Sequence, residues 1–175
     1  MMKNIKYLVI DVDGTLTDGK LYMNLSGEVF KVFDVKDGAG IHDILPQYGI
    51  VPIVITGRNN TIVEKRCKEL GITEVHQGCR EKLAKLSEIL EAFKDINEND
   101  NINIHLKDND MLSRCAYIGD DIADLGCMKA IQEAGGLVGC PLDAIYEVKE
   151  IADFISSKAG GNGAVREFID WIIIE

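Results

Sequence analysis

"DVDGTLTDG", residues 11–19, follows directly on the apolar run Tyr7-Leu8-Val9-Ile10 and packs three aspartates into nine positions. The run has the length and composition of a buried strand, so Asp11 falls at its carboxyl end. The same grammar recurs along the chain. "KYLVID" (6–11), "VPIVITG" (51–57), "CAYIGD" (115–120), "GLVG" (136–139) and "ADFIS" (152–156) read as strands, with a shorter one at "TEVHQG" (73–78). Between them, "NNTIVEKRCKELG" sets Ile62, Val63, Cys67 and Leu70 on one helical face and stops at Gly71, a suitable C-terminal cap. "REKLAKLSEILEAF" repeats the pattern with Leu83, Leu86, Ile89, Leu90 and Phe93. Nearly all-apolar strands alternating with amphipathic helices predict a doubly wound, Rossmann-like α/β domain, its parallel sheet covered by helices on both faces.

The length of 175 residues suits a single domain over residues 1–175 with a sizeable core and no separate cap domain. The N-terminal stretch has one short apolar run and then acidic residues, unlike a signal peptide, and no stretch is long enough to cross a bilayer, so the expected compartment is the cytoplasm, without a membrane partner. Five cysteines without a CxxC pair fit reduced core thiols. A formal charge of −10 disfavours nucleic acid, which needs clustered Lys and Arg.

Two segments interrupt the rhythm. "KLYMNLSGEVFKVFDV" (20–35) has two β-prone pieces around Asn24-Leu25-Ser26-Gly27, a hairpin inserted in the first strand-to-helix crossover. "KDINENDNINIHLKDNDMLSR" (94–114) is long and polar, and reads as a surface loop or as one holding an edge strand at "INIHL".

In an open parallel sheet, ligands bind beyond the carboxyl ends of the strands. Asp11, Thr56 and Asp120 each follow an apolar strand, and "GDDIAD" (119–124) adds Asp121 and Asp124. With Asp13, these carboxylates form a cluster that cannot stay ionised without a cation, and a hard, oxygen-preferring ion such as Mg²⁺ answers that need. A calcium-binding EF-hand is excluded, because Thr15, Leu16 and Tyr22 occupy loop positions 5, 6 and 12. His76 and His105 have no second His or Cys at ligand spacing.

"DVDGTLTD", "ITGR" (55–58), the lysine of "QGCREKL" (77–83) and "YIGDDIADL" (117–125) together resemble the four motifs of the haloacid dehalogenase superfamily of phosphotransferases. Within it, "LYMNLSGEVFKVFDVKDGAGI" (21–41) and "AGGNGAVREF" (159–168) are similar to the small capless phosphatases acting on 3-deoxy-D-manno-octulosonate (KDO) 8-phosphate. The resemblance implies Asp11 as nucleophile and Asp13 as general acid and base. It implies Mg²⁺ held by Asp11, the main-chain carbonyl of Asp13 and Asp120, with Asp121 and Asp124 in support. Thr56, Gly57 and Lys82 would meet the phosphate, with Lys82 also pairing the nucleophile. Recognition of the small-molecule sugar-acid phosphate falls to Asp13, Asp34, Val35, Lys36, Asp37, Gly38, His42, Arg58 and Arg66, arginine being suited to bidentate capture of a carboxylate.

A capless site needs other cover, and the resemblance implies a homotetramer assembled through the 20–35 hairpin, with Leu21, Met23, Val29 and Phe33 in contact. The alternative is a monomer whose hairpin folds over its own site. Asn162 departs from the basic residue many relatives carry in the tail. Competing functions are a phosphatase for a nine-carbon, sialic-acid-type 9-phosphate, a phospho-receiver domain, and a catalytically silent binding module.

Overall fold

A computed structural model describes residues 4–99 and 111–175, the side chains of 95–99 excepted. Six strands form one sheet: β1 (Tyr7–Ile10), β4 (Val51–Ile55), β5 (Glu74–His76), β6 (Cys115–Ile118), β7 (Leu137–Cys140) and β8 (Phe154–Ile155), in the order β5-β4-β1-β6-β7-β8. Every pairing is parallel. Central β1 pairs Ile10 with Val54 on one side and with Ile118 on the other, so β1 and β6 end level and β4 runs one residue further.

Strand periodicity divides the core into two layers. Leu8 and Ile10 of β1 point into a cluster with Val54, Ile118, Ile41, Leu45 and the helix α6 (Ala164–Ile172), which contributes Val165, Phe168 and Ile169. Val9, on the opposite face, packs with Ile53, Ile55, Tyr117 and Val138 under helices α3 (Lys82–Asn99) and α4 (Leu125–Glu133). Helices α1 (Val35–Ala39), α2 (Thr61–Glu69) and α5 (Tyr146–Ile151) complete the shell. The expected doubly wound α/β architecture is what the chain adopts, without a separate cap domain among the described residues. None of the five cysteines is paired.

The hairpin forms as β2 (Tyr22–Asn24) and β3 (Gly27–Phe30), antiparallel with a register shift between Tyr22 and Met23. It is a separate two-stranded unit, and Tyr22 stacks on Phe30 across it with ring centroids 4.4 Å apart. One contact expectation changes. Phe33 packs against the main core, with the Arg66 guanidinium 5.9 Å from its ring centroid, while Leu25, Phe30 and Val32 join Leu21, Met23 and Val29 among the exposed apolar residues. The reason is an isolated bridge from Thr17 to Phe33, which ties the return strand back to the domain at that residue.

The described first residues of the 94–114 stretch, up to Asn99, are helical and not loop. Helix α3 runs on to Asn99, because no glycine or proline interrupts it there, and Met111 is buried in the second core layer. "INIHL" lies outside the described residues.

Candidate active site

Asp11 and Thr56 directly follow β1 and β4, and Asp120 stands two residues beyond β6, after Gly119. Asp11 is buried, and its backbone N–H donates to Ile118 O at 3.1 Å, continuing the β1–β6 ladder one residue past the strand. Lys82, the first residue of α3 and itself buried, sends its ammonium between two carboxylates, 2.6 Å from Asp11 Oδ1 and 2.7 Å from Asp124 Oδ1. Thr56 is buried with its backbone N–H donating to His76 O at 3.0 Å, and Gly57 follows it at the exposed mouth.

Asp124 is fully occupied. Its Oδ1 also accepts from Tyr117 Oη at 2.7 Å, and its Oδ2 accepts the backbone N–H groups of Asp120 at 2.9 Å and Asp121 at 3.1 Å. Asp120 Oδ1 accepts from Thr15 Oγ1 at 3.0 Å. One carboxylate oxygen from each of Asp11, Asp120 and Asp124 lies within 4.8 Å of the others.

The electrostatics follow from that crowding. Burial, then the charge of Asp124, pushes Asp11 up to about 7 in spite of Lys82. Burial, then Asp11 and Asp124, pushes Asp120 up to about 8. Burial works against the Lys82 charge, yet Asp11 and Asp124 hold its pKa above the ordinary lysine value.

Gly14 makes the turn that closes this pocket. At φ +93° it is in a region L side chains rarely adopt, and a Cβ there would fall 2.0 Å from Asp120 Oδ2. The tail lies against the outside of the same turn: Gly161 N–H donates to Thr15 O at 3.0 Å, and a Cβ on Gly160 would sit 1.9 Å from Gly14 O. Asn162, one residue on, is exposed.

Asp13 faces a second group of charges, of which sequence reasoning named Arg58 and missed Lys31 and Glu28. Its carboxylate pairs with Lys31, whose side chain is 1% exposed and which also lies 2.9 Å from Glu28 Oε1. Glu28 Oε2 accepts from Asn60 Nδ2 at 2.7 Å and from Arg58 at 3.1 Å. Burial opposes the Glu28 charge, but Lys31, Asn60 and Arg58 hold its pKa below the usual glutamate value.

Other expected site residues are engaged elsewhere within the chain. Asp121 turns outward and caps its own turn, accepting from Ile122 N at 2.7 Å. Asp34 caps α1, accepting from Lys36 N at 2.6 Å, and Val35 and Lys36 are exposed. Asp37 is buried and accepts from the backbone N–H groups of Gly163 at 3.3 Å and Arg166 at 2.7 Å, at the start of α6. Arg66 pairs with Glu69 at 2.9 Å and lies against Gly38. His42 is exposed and faces Asp43 at 2.6 Å.

No family model matches the chain. The curated 3-deoxy-D-manno-octulosonate 8-phosphate phosphatase KdsC of Escherichia coli K12 is 38% identical over 172 residues, covering 98% of this chain and 81% of that protein. The solved 3-deoxy-D-manno-octulosonate 8-phosphate phosphatase of Yersinia pestis superposes with a TM-score of 0.82 at 35% identity, over 99% of this chain and 83% of that one. The Moraxella catarrhalis enzyme of the same name, solved with magnesium, phosphate and KDO, gives 0.74 at 38% identity, over 99% and 88%. With a buried aspartate paired to a lysine at the end of the central strand, and with relatives matched along almost the whole of this chain and more than four fifths of theirs, this protein belongs to the capless 3-deoxy-D-manno-octulosonate 8-phosphate phosphatases of the haloacid dehalogenase superfamily, which are phosphoric monoester hydrolases.

Proposed function

We propose that the chain hydrolyses 3-deoxy-D-manno-octulosonate 8-phosphate to KDO and phosphate through an aspartyl-phosphate on Asp11. The observation that carries the proposal is the Lys82 ammonium 2.6 Å from a buried Asp11, beside Asp120, at the carboxyl end of the central strand. An Asp11 carboxylate oxygen attacks phosphorus, the bond from phosphorus to the sugar oxygen breaks, and Asp13 gives its proton to the departing alkoxide. Water then attacks the same phosphorus, Asp13 takes its proton, and the acyl-phosphate P–O bond breaks to regenerate Asp11. Lys82 keeps the nucleophile oriented and balances charge on the phosphoryl oxygens, which is most of what phosphoryl transfer asks of a protein.

The cofactor is Mg²⁺, and the donor set fits it. Asp11 and Asp120 are buried oxygen donors whose carboxyl pKa values are raised by burial and by neighbouring carboxylates, a crowding of negative charge that a hard divalent cation would relieve. Asp124 is already taken up by Lys82, Tyr117 and two backbone N–H groups, so it braces the pocket while Asp11, Asp120 and the Asp13 carbonyl serve as ligands. Bound there, Mg²⁺ supplies positive charge against the phosphoryl oxygens. We further propose a homotetramer assembled through the hairpin, whose Leu25 is fully exposed and whose Met23, Val29 and Phe30 are about half exposed.

The test is phosphate release from KDO 8-phosphate, a sialic acid 9-phosphate and simple hexose phosphates, with Mg²⁺ or with EDTA, beside Asp11→Asn. Turnover of KDO 8-phosphate well above the others, lost with EDTA and in Asp11→Asn, is expected. Preference for the nine-carbon acid, or equal turnover across the panel, overturns the substrate. Full activity in Asp11→Asn overturns the mechanism.

A further inference from the structure

Along β3 and the two residues that follow it, charged side chains are buried and apolar ones exposed. In "GEVFKV" (27–32) the charged side chains of Glu28 and Lys31 are 6% and 1% exposed. Val29, Phe30 and Val32 are 50%, 49% and 39% exposed. Burying an ammonium is costly unless it is paired, and Glu28 at 2.9 Å already supplies a partner. Lys31 nevertheless makes a second ion pair, to the Asp13 carboxylate. Glu28 is shared with Arg58 at 3.1 Å, so the Asp13 pair balances two cations against two carboxylates and ties the Asp13 side chain to the buried ammonium.

The far end of the chain of contacts is equally specific. Glu28 Oε2 takes Asn60 Nδ2 at 2.7 Å, and Asn60 Oδ1 accepts from Ile62 N at 2.8 Å as the cap of α2. Asp13 is therefore linked through Lys31, Glu28 and Asn60 to the start of α2, just beyond the Thr56-Gly57 end of β4. The Asp13 side chain is 26% exposed and belongs to no strand. A general acid must sit within about 2.6–3.2 Å of the oxygen it protonates, so a side chain in that setting needs an external anchor.

We propose that Lys31, held by Glu28, is a positioning residue that fixes the Asp13 carboxyl group for proton transfer to the leaving alkoxide. This rests on the assignment of Asp13 as general acid and base. Lys31 acts through the Asp13 carboxylate. Its effect is felt where proton transfer matters most, with an alkoxide leaving group, and least in the first step with an aryl phosphate, whose phenolate departs without a proton.

The experiment compares wild type, Lys31→Met, Lys31→Arg, Glu28→Gln and Asp13→Asn on KDO 8-phosphate and on p-nitrophenyl phosphate, with rapid mixing for the aryl substrate and thermal melting for each variant. For Lys31→Met we expect kcat on the sugar phosphate to fall about 10-fold or more, part of the roughly 10²–10⁴ that a placed acid–base group contributes, with KM changed less than about threefold. The first turnover of p-nitrophenol release stays near the wild-type rate. Lys31→Arg recovers most of the loss, and Glu28→Gln shows a smaller loss in the same direction. Equal falls on both substrates, or a change confined to KM, overturn the proposal. Should Lys31→Met fail to fold, the same contrast in Glu28→Gln decides. Asp13→Asn separates the two layers of argument: full sugar-phosphate turnover there overturns the acid–base assignment itself. Loss there, with a folded Lys31→Met at wild-type rate, overturns the positioning role alone.

Discussion

Lys82 reaches Asp11 and Asp124 from a helix packed on a six-stranded sheet, whereas Lys31 reaches Asp13 from a two-stranded hairpin with much of its apolar surface in solvent. The sheet side is positioned by backbone. Three parallel strands ending within one residue of each other bring Asp11, Thr56 and Asp120 together before any side chain makes a contact. The inserted stretch 18–40 is positioned by a handful of docking contacts: the Thr17–Phe33 bridge, the Lys31 and Glu28 pairs, and Asp37 at the start of α6. Damage on the sheet side should therefore unfold the domain as well as stop chemistry. Damage at the hairpin should spare the fold and alter chemistry or assembly, while Asp37, buried against the start of α6, is where the inserted stretch contributes to stability.

The strongest attempt to break that contrast is Lys82→Met. It leaves Asp11 and Asp124 buried without the ammonium they share, and removing one partner of a buried pair costs about 3–5 kcal/mol. Urea unfolding should show a loss of that size, accompanied by loss of phosphate release. A change below about 1 kcal/mol would mean that the sheet side does not depend on its charge balance.

Asp37 sharpens the comparison through pH. Burial, opposed by the backbone N–H groups of α6 and reinforced by Asp34, raises its carboxyl to about 6; Arg166 supplies one of those N–H groups, while its guanidinium pairs with Asp170. A folded pKa above the unfolded value of 3.8 means that the native state binds the proton more tightly. The Asp37 contribution therefore falls as pH rises from about 4 to about 6, by up to ~3 kcal/mol. Asp37→Asn should flatten that part of the stability–pH curve. An unchanged slope would remove Asp37 as a titrating latch between the inserted stretch and α6.

Tyr117→Phe returns to the sheet side with a smaller effect. The hydroxyl donates to Asp124 at 2.7 Å deep in the core, and a hydrogen bond to a charged group contributes about 1.5–3 kcal/mol. Stability should drop within that range, and KM should move little because Tyr117 is fully buried behind Asp124.

The same division explains what the sequence reveals. The apolar runs before Asp11, Thr56 and Asp120 announce a parallel sheet, and the sheet alone gathers their ends, so that half of the candidate site is legible without a structure. Lys31 and Glu28 are not legible. Charged residues in a hairpin ordinarily face solvent, and these two stand three apart, Lys31 just past the end of β3, so that only the docking of this stretch against Asp13, Arg58 and Asn60 buries them. Asp124 is half legible: its place in "GDDIAD" brings it to the cluster, but the four donors that occupy it include Tyr117 from inside β6 and Lys82 from 42 residues upstream. Asp34 and Asp37 sit in a motif whose resemblance implies substrate recognition; the Asp34 carboxylate caps its own helix, whereas Asp37 accepts from Gly163 and Arg166 more than 120 residues on, a contact that only the tertiary fold makes.

The least costly substitution tests the outward face of the hairpin. Val29 lies between Glu28 and Phe30, half exposed, and Val29→Lys adds a charge there without touching the ion pairs beneath. For the isolated fold such a surface change falls within about 0.5 kcal/mol. If copies of the chain pack through this face, four lysines would be forced into an apolar contact, and sedimentation should find a lighter species while the unfolding midpoint measured on that species stays near the wild-type value. An unchanged tetramer would put the contact on another surface. A monomeric wild type would leave the exposed valine and phenylalanine to the alternative in which the hairpin covers its own site, and Val29→Lys would then act on KM instead of on mass.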